Sequence, residues 1–222
     1  MRKVLWLATS VALLAWSCDQ QPSGPTSKSA NPPPAGAVLF EEVTDRSGID
    51  FQHFTGATGE KYMPETLASG VCSFDYDGDH FPDLYFVNGA PLGKATVTPP
   101  PIDHLYRNRG DGTFEDVTEK MGLNVPMYGL GVTCGDFDND GFIDVFISCV
   151  GKQHLFHNEG GKKFRDVGDE AGVAGKVDLP DVSRAAFLDW KEPIPFGASC
   201  TFLDYDGDGR LDLFVCHYVT WS

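Results

Sequence analysis

Residues 75–83 read DYDGDHFPD, residues 136–144 read DFDNDGFID and residues 204–212 read DYDGDGRLD. Each copy puts aspartate at positions 1, 3, 5 and 9 and then runs into apolar residues: LYFV, VFISCV or LFVC. A hard divalent cation such as calcium takes six to eight oxygens at about 2.3–2.6 Å, and carboxylates at alternate positions of a tight loop supply them. The candidate ligands are therefore Asp75, Asp77, Asp79 and Asp83; Asp136, Asp138, Asp140 and Asp144; and Asp204, Asp206, Asp208 and Asp212. The main-chain carbonyl at position 7, on Phe81, Phe142 or Arg210, completes each shell. Without a cation, such clustered carboxylates repel one another. One or two aspartates are ordinary in a solvated turn; three loops with a common spacing are not.

An EF-hand would need a bidentate Glu at position 12 and flanking helices. Position 12 is Phe86, Ile147 or Val215, each inside a β-branched or aromatic run that reads as a strand. These are strand–loop–strand sites. Position 6 favours glycine because the chain turns sharply there, and Gly141 and Gly209 satisfy it. The first loop has His80 instead, with Pro82 at position 8, so this site is expected to be distorted or weaker. Calcium's preference for oxygen argues against His80 itself as a ligand.

More than the loops recurs. HLYRNRGDGTFEDVTEKMGL (104–123) matches HLFHNEGGKKFRDVGDEAGV (154–173), and LFEEVTDRSGI (39–49) matches the second half of that pattern. The repeat reads as acidic loop, apolar strand, variable loop, LYxN strand, glycine turn, FxDVT strand and a Gly-ended turn. Several strands per unit at regular spacing point to an all-β radial array, a β-propeller or a relative of one. Phe40, Phe114, Phe164, Leu105 and Leu155 are then expected to form blade core.

The segments SFDYDGDHFPDLYFVNG, HLYRNRGDGTFEDVTEKMGL, CGDFDNDGFIDVFIS and FGASCTFLDYDGDGRLDLFVCHYVTW resemble the FG-GAP/VCBS repeats of integrin-α-type β-propellers. They are most similar to those of bacterial proteins related to cartilage acidic protein, which often carry a C-terminal ASPIC/UnbV domain. The resemblance covers residues 38–222 and implies calcium in the hairpin loop of each blade. Propellers of this kind usually close with about seven blades, whereas between two and three repeats are present here. The expected fold is a partial propeller, read as a truncated frame or fragment, with assembly of several copies into a ring as the alternative.

Ahead of the repeats, Arg2 and Lys3 precede an apolar run from Val4 to Leu14 and then Ala15-Trp16-Ser17-Cys18. That run is shorter than the roughly 20 residues a spanning helix needs. Residues 1–17 read as an export signal, with Cys18 as the lipidated N-terminus of a lipoprotein; an ordinary signal peptidase cutting the same bond is the other reading. Residues 18–37 are rich in Pro, Ser and Gly and read as a tether. The formal charge of −15 argues against nucleic acid as a partner, and the membrane is expected to be met only through the lipid anchor.

Arg109-Gly110-Asp111 spells an integrin-recognition tripeptide, but it falls in the glycine turn and reads as a hairpin. No HExxH, GxSxG, phosphate loop or CxxC occurs. Cys200 and Cys216 lie at equal distances from Asp208 and are expected to face each other across the third hairpin, in reach of a disulfide. The function read from these features is a calcium-binding, exported, non-catalytic module that binds or adheres to protein or glycan. The alternative is a fragment of a polysaccharide-processing enzyme on the same scaffold, or of a maturation or biosynthetic accessory factor.

Overall fold

The structure is a computed structural model and describes residues 40–57, 61–67, 69–91, 97–175 and 194–221. The expected leader (1–17), Cys18 and the tether (18–37) lie outside the described residues. All strands belong to one compact unit, Glu42–Ser222.

Two four-stranded antiparallel sheets follow one another in the chain. The first holds β1 (Val71–Phe74), β2 (Asp83–Phe86), β3 (His104–Asn108) and β4 (Phe114–Asp116), in that order. The second holds β5 (Gly129–Gly135), β6 (Asp144–Cys149), β7 (His154–Asn158) and β8 (Phe164–Asp166), again in chain order. A hairpin of β9 (Ile194–Leu203) and β10 (Asp212–Trp221) comes third. Helix is confined to α1 (Thr44–Ser47) and a 3₁₀ turn at Met63–Thr66, and no described helix is long and apolar enough to cross a membrane. This is a partial β-propeller: consecutive meanders stacked face to face, each with an acidic loop between its first two strands.

The core lies between the blades rather than within them. One cluster packs Tyr85, Val87, Leu105 and Val117 of the first blade against Val145, Ile147, Phe156 and Phe164 of the second. Another packs Phe146, Leu155 and Val167 of the second blade against Phe202, Leu213 and Val215 of the hairpin. Because side chains alternate across a strand, β6 feeds both clusters, Val145 and Ile147 to one side and Phe146 to the other, and every residue of β6 is buried. The outer face of the first blade is covered by its own N-terminal segment. There the Phe51 ring stacks on Phe86 at 4.9 Å, and the Tyr106 hydroxyl donates to Asp50 Oδ1 at 2.8 Å.

Two expectations need correction. Phe40 is exposed, unlike Phe164, Leu105 and Leu155, while Phe114 is half-buried. An FxDVT strand pairs with a preceding LYxN strand, as β4 does with β3, and the opening copy of the pattern carries only its second half. The second correction concerns the 200–216 disulfide. Leu203 pairs with Asp212, so eight residues close the turn and Cys200 faces Val215 while Cys216 faces Ser199. An even-numbered loop centres the hairpin between Gly207 and Asp208, and this half-residue offset turns the two thiols to opposite faces. Cys200 points toward the Phe146 carbonyl, Cys216 is exposed, and both are free.

Candidate metal centre

Each acidic loop folds around its own first aspartate. Asp75 accepts the backbone amides of Gly78, Asp79 and His80 at 2.8, 3.2 and 2.8 Å. Asp136 accepts those of Asp140 and Gly141, and Asp204 those of Gly207, Asp208 and Gly209. To aim these amides inward the chain turns left-handed twice, at positions 4 and 6. Position 4 is Gly78, Asn139 or Gly207, and position 6 is His80, Gly141 or Gly209, all with φ between 59° and 93°. Glycine adopts this conformation freely and asparagine at small cost; His80 carries the strain expected from the sequence.

The aspartate at position 9 opens the second strand and points back under the loop. Asp83 accepts from Tyr76 N at 3.0 Å and Asn108 N at 2.8 Å; Asp144 accepts from Phe137 N and Asn158 N at the same distances. Both carboxylates are fully buried. Burial pushes Asp83 up to about 6 despite its two amide donors, and burial likewise raises Asp144. Asp212 accepts from Tyr205 N in the third loop but is exposed.

In all three loops the carboxylates of positions 1, 3 and 9 converge: Asp75, Asp77 and Asp83; Asp136, Asp138 and Asp144; Asp204, Asp206 and Asp212. Within each set one oxygen per residue lies within 4.8 Å of the others, an acidic pocket of the right size for one cation. The position 5 carboxylates stand apart from these triads. Asp79, Asp140 and Asp208 each accept the amide of position 7, from Phe81, Phe142 and Arg210 at 2.9, 2.9 and 2.8 Å. Asp140 also groups with Asp138 and His157. Asp77 Oδ1 is buried without a hydrogen-bond partner. A buried carboxylate oxygen left unpaired is costly, and a cation held by Asp75, Asp77 and Asp83 would satisfy it. The donor set fits a hard, oxygen-seeking divalent ion.

Sequence reasoning missed two participants. Arg107 of β3 donates from Nε to Asp77 Oδ2 and from Nη2 to Asp79 Oδ2, each at 2.6 Å. His157 of β7 sits at the equivalent place, with Nδ1 3.1 Å from Asp144 Oδ1 and 3.5 Å from Asp138 Oδ2. Both are the x of an LYxN or LFxN strand. A basic residue at that place in both copies of so acidic a chain was the available signal.

The neighbouring turns lock the loops in place. Asn158 donates from Nδ2 to the carbonyls of Tyr76, in the first loop, and Ile143. Gly161, at φ +72°, lies so close to Asp77 that a Cβ would stand 3.1 Å from its Cα. The Arg-Gly-Asp tripeptide forms the β3–β4 turn, as expected: Arg109 pairs with Glu115 at 3.3 Å and Asp111 Oδ1 accepts from Thr113. His104 and His154 brace β3 to β4 and β7 to β8 through Asp116 and Asp166.

Comparison with known proteins agrees with this geometry. The family profile described as FG-GAP-like repeat matches residues 75–147 and 136–215, each match opening on the first aspartate of a loop. The chain is 30% identical over 180 residues to cartilage acidic protein 1 of Homo sapiens, covering 81% of the chain and 22% of the relative. It is 31% identical over 115 residues to cartilage acidic protein 1 of Xenopus tropicalis, covering 50% and 15%. It is 34% identical over 94 residues to integrin alpha-4 of Xenopus laevis, covering 40% and 9%. The chain thus spans about a fifth or less of the length of these relatives.

Proposed function

Since the chain belongs to the FG-GAP-like repeat family, we propose that it is a calcium-stabilised propeller segment that serves binding or adhesion outside the cytoplasm. The observation that carries this reading is the convergence of the position 1, 3 and 9 carboxylates in all three loops, with one buried oxygen of Asp77 left unpaired. Calcium would supply the positive charge that holds each loop closed. The chain's own residues shape the loop, bury its ninth aspartate and pack it against the next blade. The bound partner is protein or glycan, in keeping with the likeness to an integrin α chain. Export through residues 1–17 and anchoring through Cys18 belong to the same proposal, because calcium at these affinities is abundant outside cells and the leader has the composition of a signal.

Calorimetric titration of the purified chain with calcium chloride tests the metal. Saturable heat that disappears in Asp138→Ala and Asp206→Ala supports the loops as sites, whereas no heat at millimolar calcium refutes them. Retention on arrayed glycans and extracellular proteins, compared in calcium and in chelator, tests the binding role. For the anchor, Cys18→Ser should release the chain from the membrane fraction.

A further inference from the structure

Cys72 lies on β1 and Cys134 on β5, the first strand of each of two neighbouring blades. These strands face each other. A Cβ on Gly70, just before β1, would meet Val132 of β5 at 3.1 Å, and both cysteines pack against the core cluster shared by the blades. Their sulfurs are 2.7 Å apart, in reach of the ~2.05 Å of a disulfide by a small side-chain adjustment. The two positions are out of step in the repeat: Cys72 precedes its loop by three residues and Cys134 by two. The positions equivalent to them are Thr133 and Thr201 for the first, Ser73 and Phe202 for the second. Blade architecture therefore does not require cysteine at either place. Among the described residues no third cysteine, histidine or carboxylate joins the two sulfurs in a metal-ligating group.

We propose that Cys72 and Cys134 are a redox pair whose disulfide staples the first blade to the second. The pair is prepared for exchange: the Cys72 thiol donates to the Cys134 sulfur, which lowers the Cys134 thiol below its ordinary value and raises that of Cys72. Cys134 is thus the attacking thiolate. It displaces one thiolate from a small-molecule disulfide oxidant of the glutathione type, forming a mixed disulfide. Cys72 then gives up its proton and attacks the Cys134 sulfur, expelling the second thiolate. Two protein thiols lose two electrons and two protons, and the oxidant disulfide becomes two thiols. The bond ties residues 62 apart in sequence and holds closed the interface that buries most of the core. The proposal rests on strand placement and not on calcium or export.

Peptide mapping of the purified full chain after incubation with oxidised or reduced glutathione decides the matter, run in calcium and in chelator. Non-reducing digestion with fragmentation that separates Cys134 from Cys149 should give a 72–134 cross-link in the oxidised sample and none in the reduced one. The oxidised chain should melt above the reduced chain, with the difference abolished in Cys72→Ser and in Cys134→Ser. Alkylation of both thiols after oxidation, or a cross-link from either to Cys149, Cys200 or Cys216, overturns the pairing. If a serine variant does not fold, the wild-type map alone gives the answer. Failure of the calcium reading shows separately, as melts indifferent to chelator.

Discussion

The first and second blades share one strand plan and one loop spacing, yet they solve the same electrostatic problem differently. In the first, the Arg107 guanidinium grips Asp77 and Asp79, so a permanent internal cation already neutralises part of the loop. In the second, His157 stands at that place and approaches Asp138 and Asp144 at longer range, which leaves more uncompensated negative charge. The second blade is also flanked on both faces, whereas Leu84 and Phe86 of β2 are only half-buried. Burial in this fold is supplied by neighbours, as expected of a repeat array in which each unit covers the next. A charged loop is stabilised by a fixed cation, by a bound one, or by both, and the two blades take different shares.

The largest expected effect follows from that split. A ligand that binds only the folded chain stabilises it by about 2.7 kcal/mol per site at a hundredfold excess over Kd. Chelator should therefore lower the melting temperature and calcium restore it. Asp138→Ala should remove a large part of the calcium response and change the chelated melt little. Asp77→Ala should show the opposite pattern: a smaller loss of calcium response, because Arg107 opposes the incoming cation, and a lower melt even in chelator, because the ion pair is gone. Equal chelated melts for the wild type and Asp77→Ala would break the contrast.

A second difference lies at equivalent places before β3 and β7. Asp103 and Gln153 are both buried, and each accepts the amide that follows its blade's second strand, from Asn88 at 2.7 Å and from Cys149 at 2.9 Å. Burial pushes the Asp103 carboxyl up to about 7, even though it accepts from Asn88 and the Tyr85 hydroxyl. An unfolded aspartate titrates near 3.9, so the folded chain holds this proton more tightly. The associated stability is present below about pH 4 and is lost as pH rises to about 7, on the order of 4 kcal/mol at most. Melting temperatures in chelator between pH 5 and 8 should fall with rising pH, and Asp103→Asn should flatten that fall. Asp83 and Asp144 contribute in the same direction but are present in both proteins, so the difference isolates Asp103. A parallel pair of curves would refute the assignment.

The conserved geometry of the Asn that ends β3 and β7 separates the blades again. Asn158 is fully buried and bonds Tyr76 of the first blade as well as its own loop, whereas Asn108 is partly exposed and bonds only within its blade. Removing a partner strands buried carbonyls at about 1–3 kcal/mol each. Asn158→Ala should therefore cost about 3 kcal/mol and Asn108→Ala about 1 kcal/mol in denaturant unfolding. Equal costs would mean that the contact between blades carries no load.

What could be read in the sequence was whatever repeats or is local. The aspartate spacing located the loops, the apolar runs after them became β2, β6 and β10, and the LYxN and FxD segments became β3, β4, β7 and β8. What escaped depended on which strand lies beside which loop. Arg107 and His157 act on carboxylates some 20 to 30 residues earlier, brought near only by the pairing of β3 and β7 with β2 and β6. The cysteines escaped for the same reason: a half-residue change in the hairpin centre separated Cys200 from Cys216, and Cys72 met Cys134 only when two blades stacked. The sequence did show the glycine requirement at position 6, but not that position 4 turns left-handed too.

That last point supplies the smallest and cleanest test of the difference between the loops. The third loop has glycine at both left-handed positions, the second has Asn139 at position 4, and the first has His80 at position 6. A residue with a Cβ pays about 1–2 kcal/mol to sit in that region, while asparagine pays less. Replacing it by glycine also loosens the unfolded chain, which takes back about 0.4–1 kcal/mol. His80→Gly should then stabilise the chain by about 0.5 kcal/mol, and Asn139→Gly should be close to neutral. His80 is exposed and its ring lies 3.9 Å from Asp75, so little packing is lost. The gain should appear in chelator as well as in calcium, because it comes from backbone strain and not from the ion. A His80→Gly chain that unfolds at lower denaturant than the wild type would show that the histidine side chain, and not its backbone, is what the first loop uses.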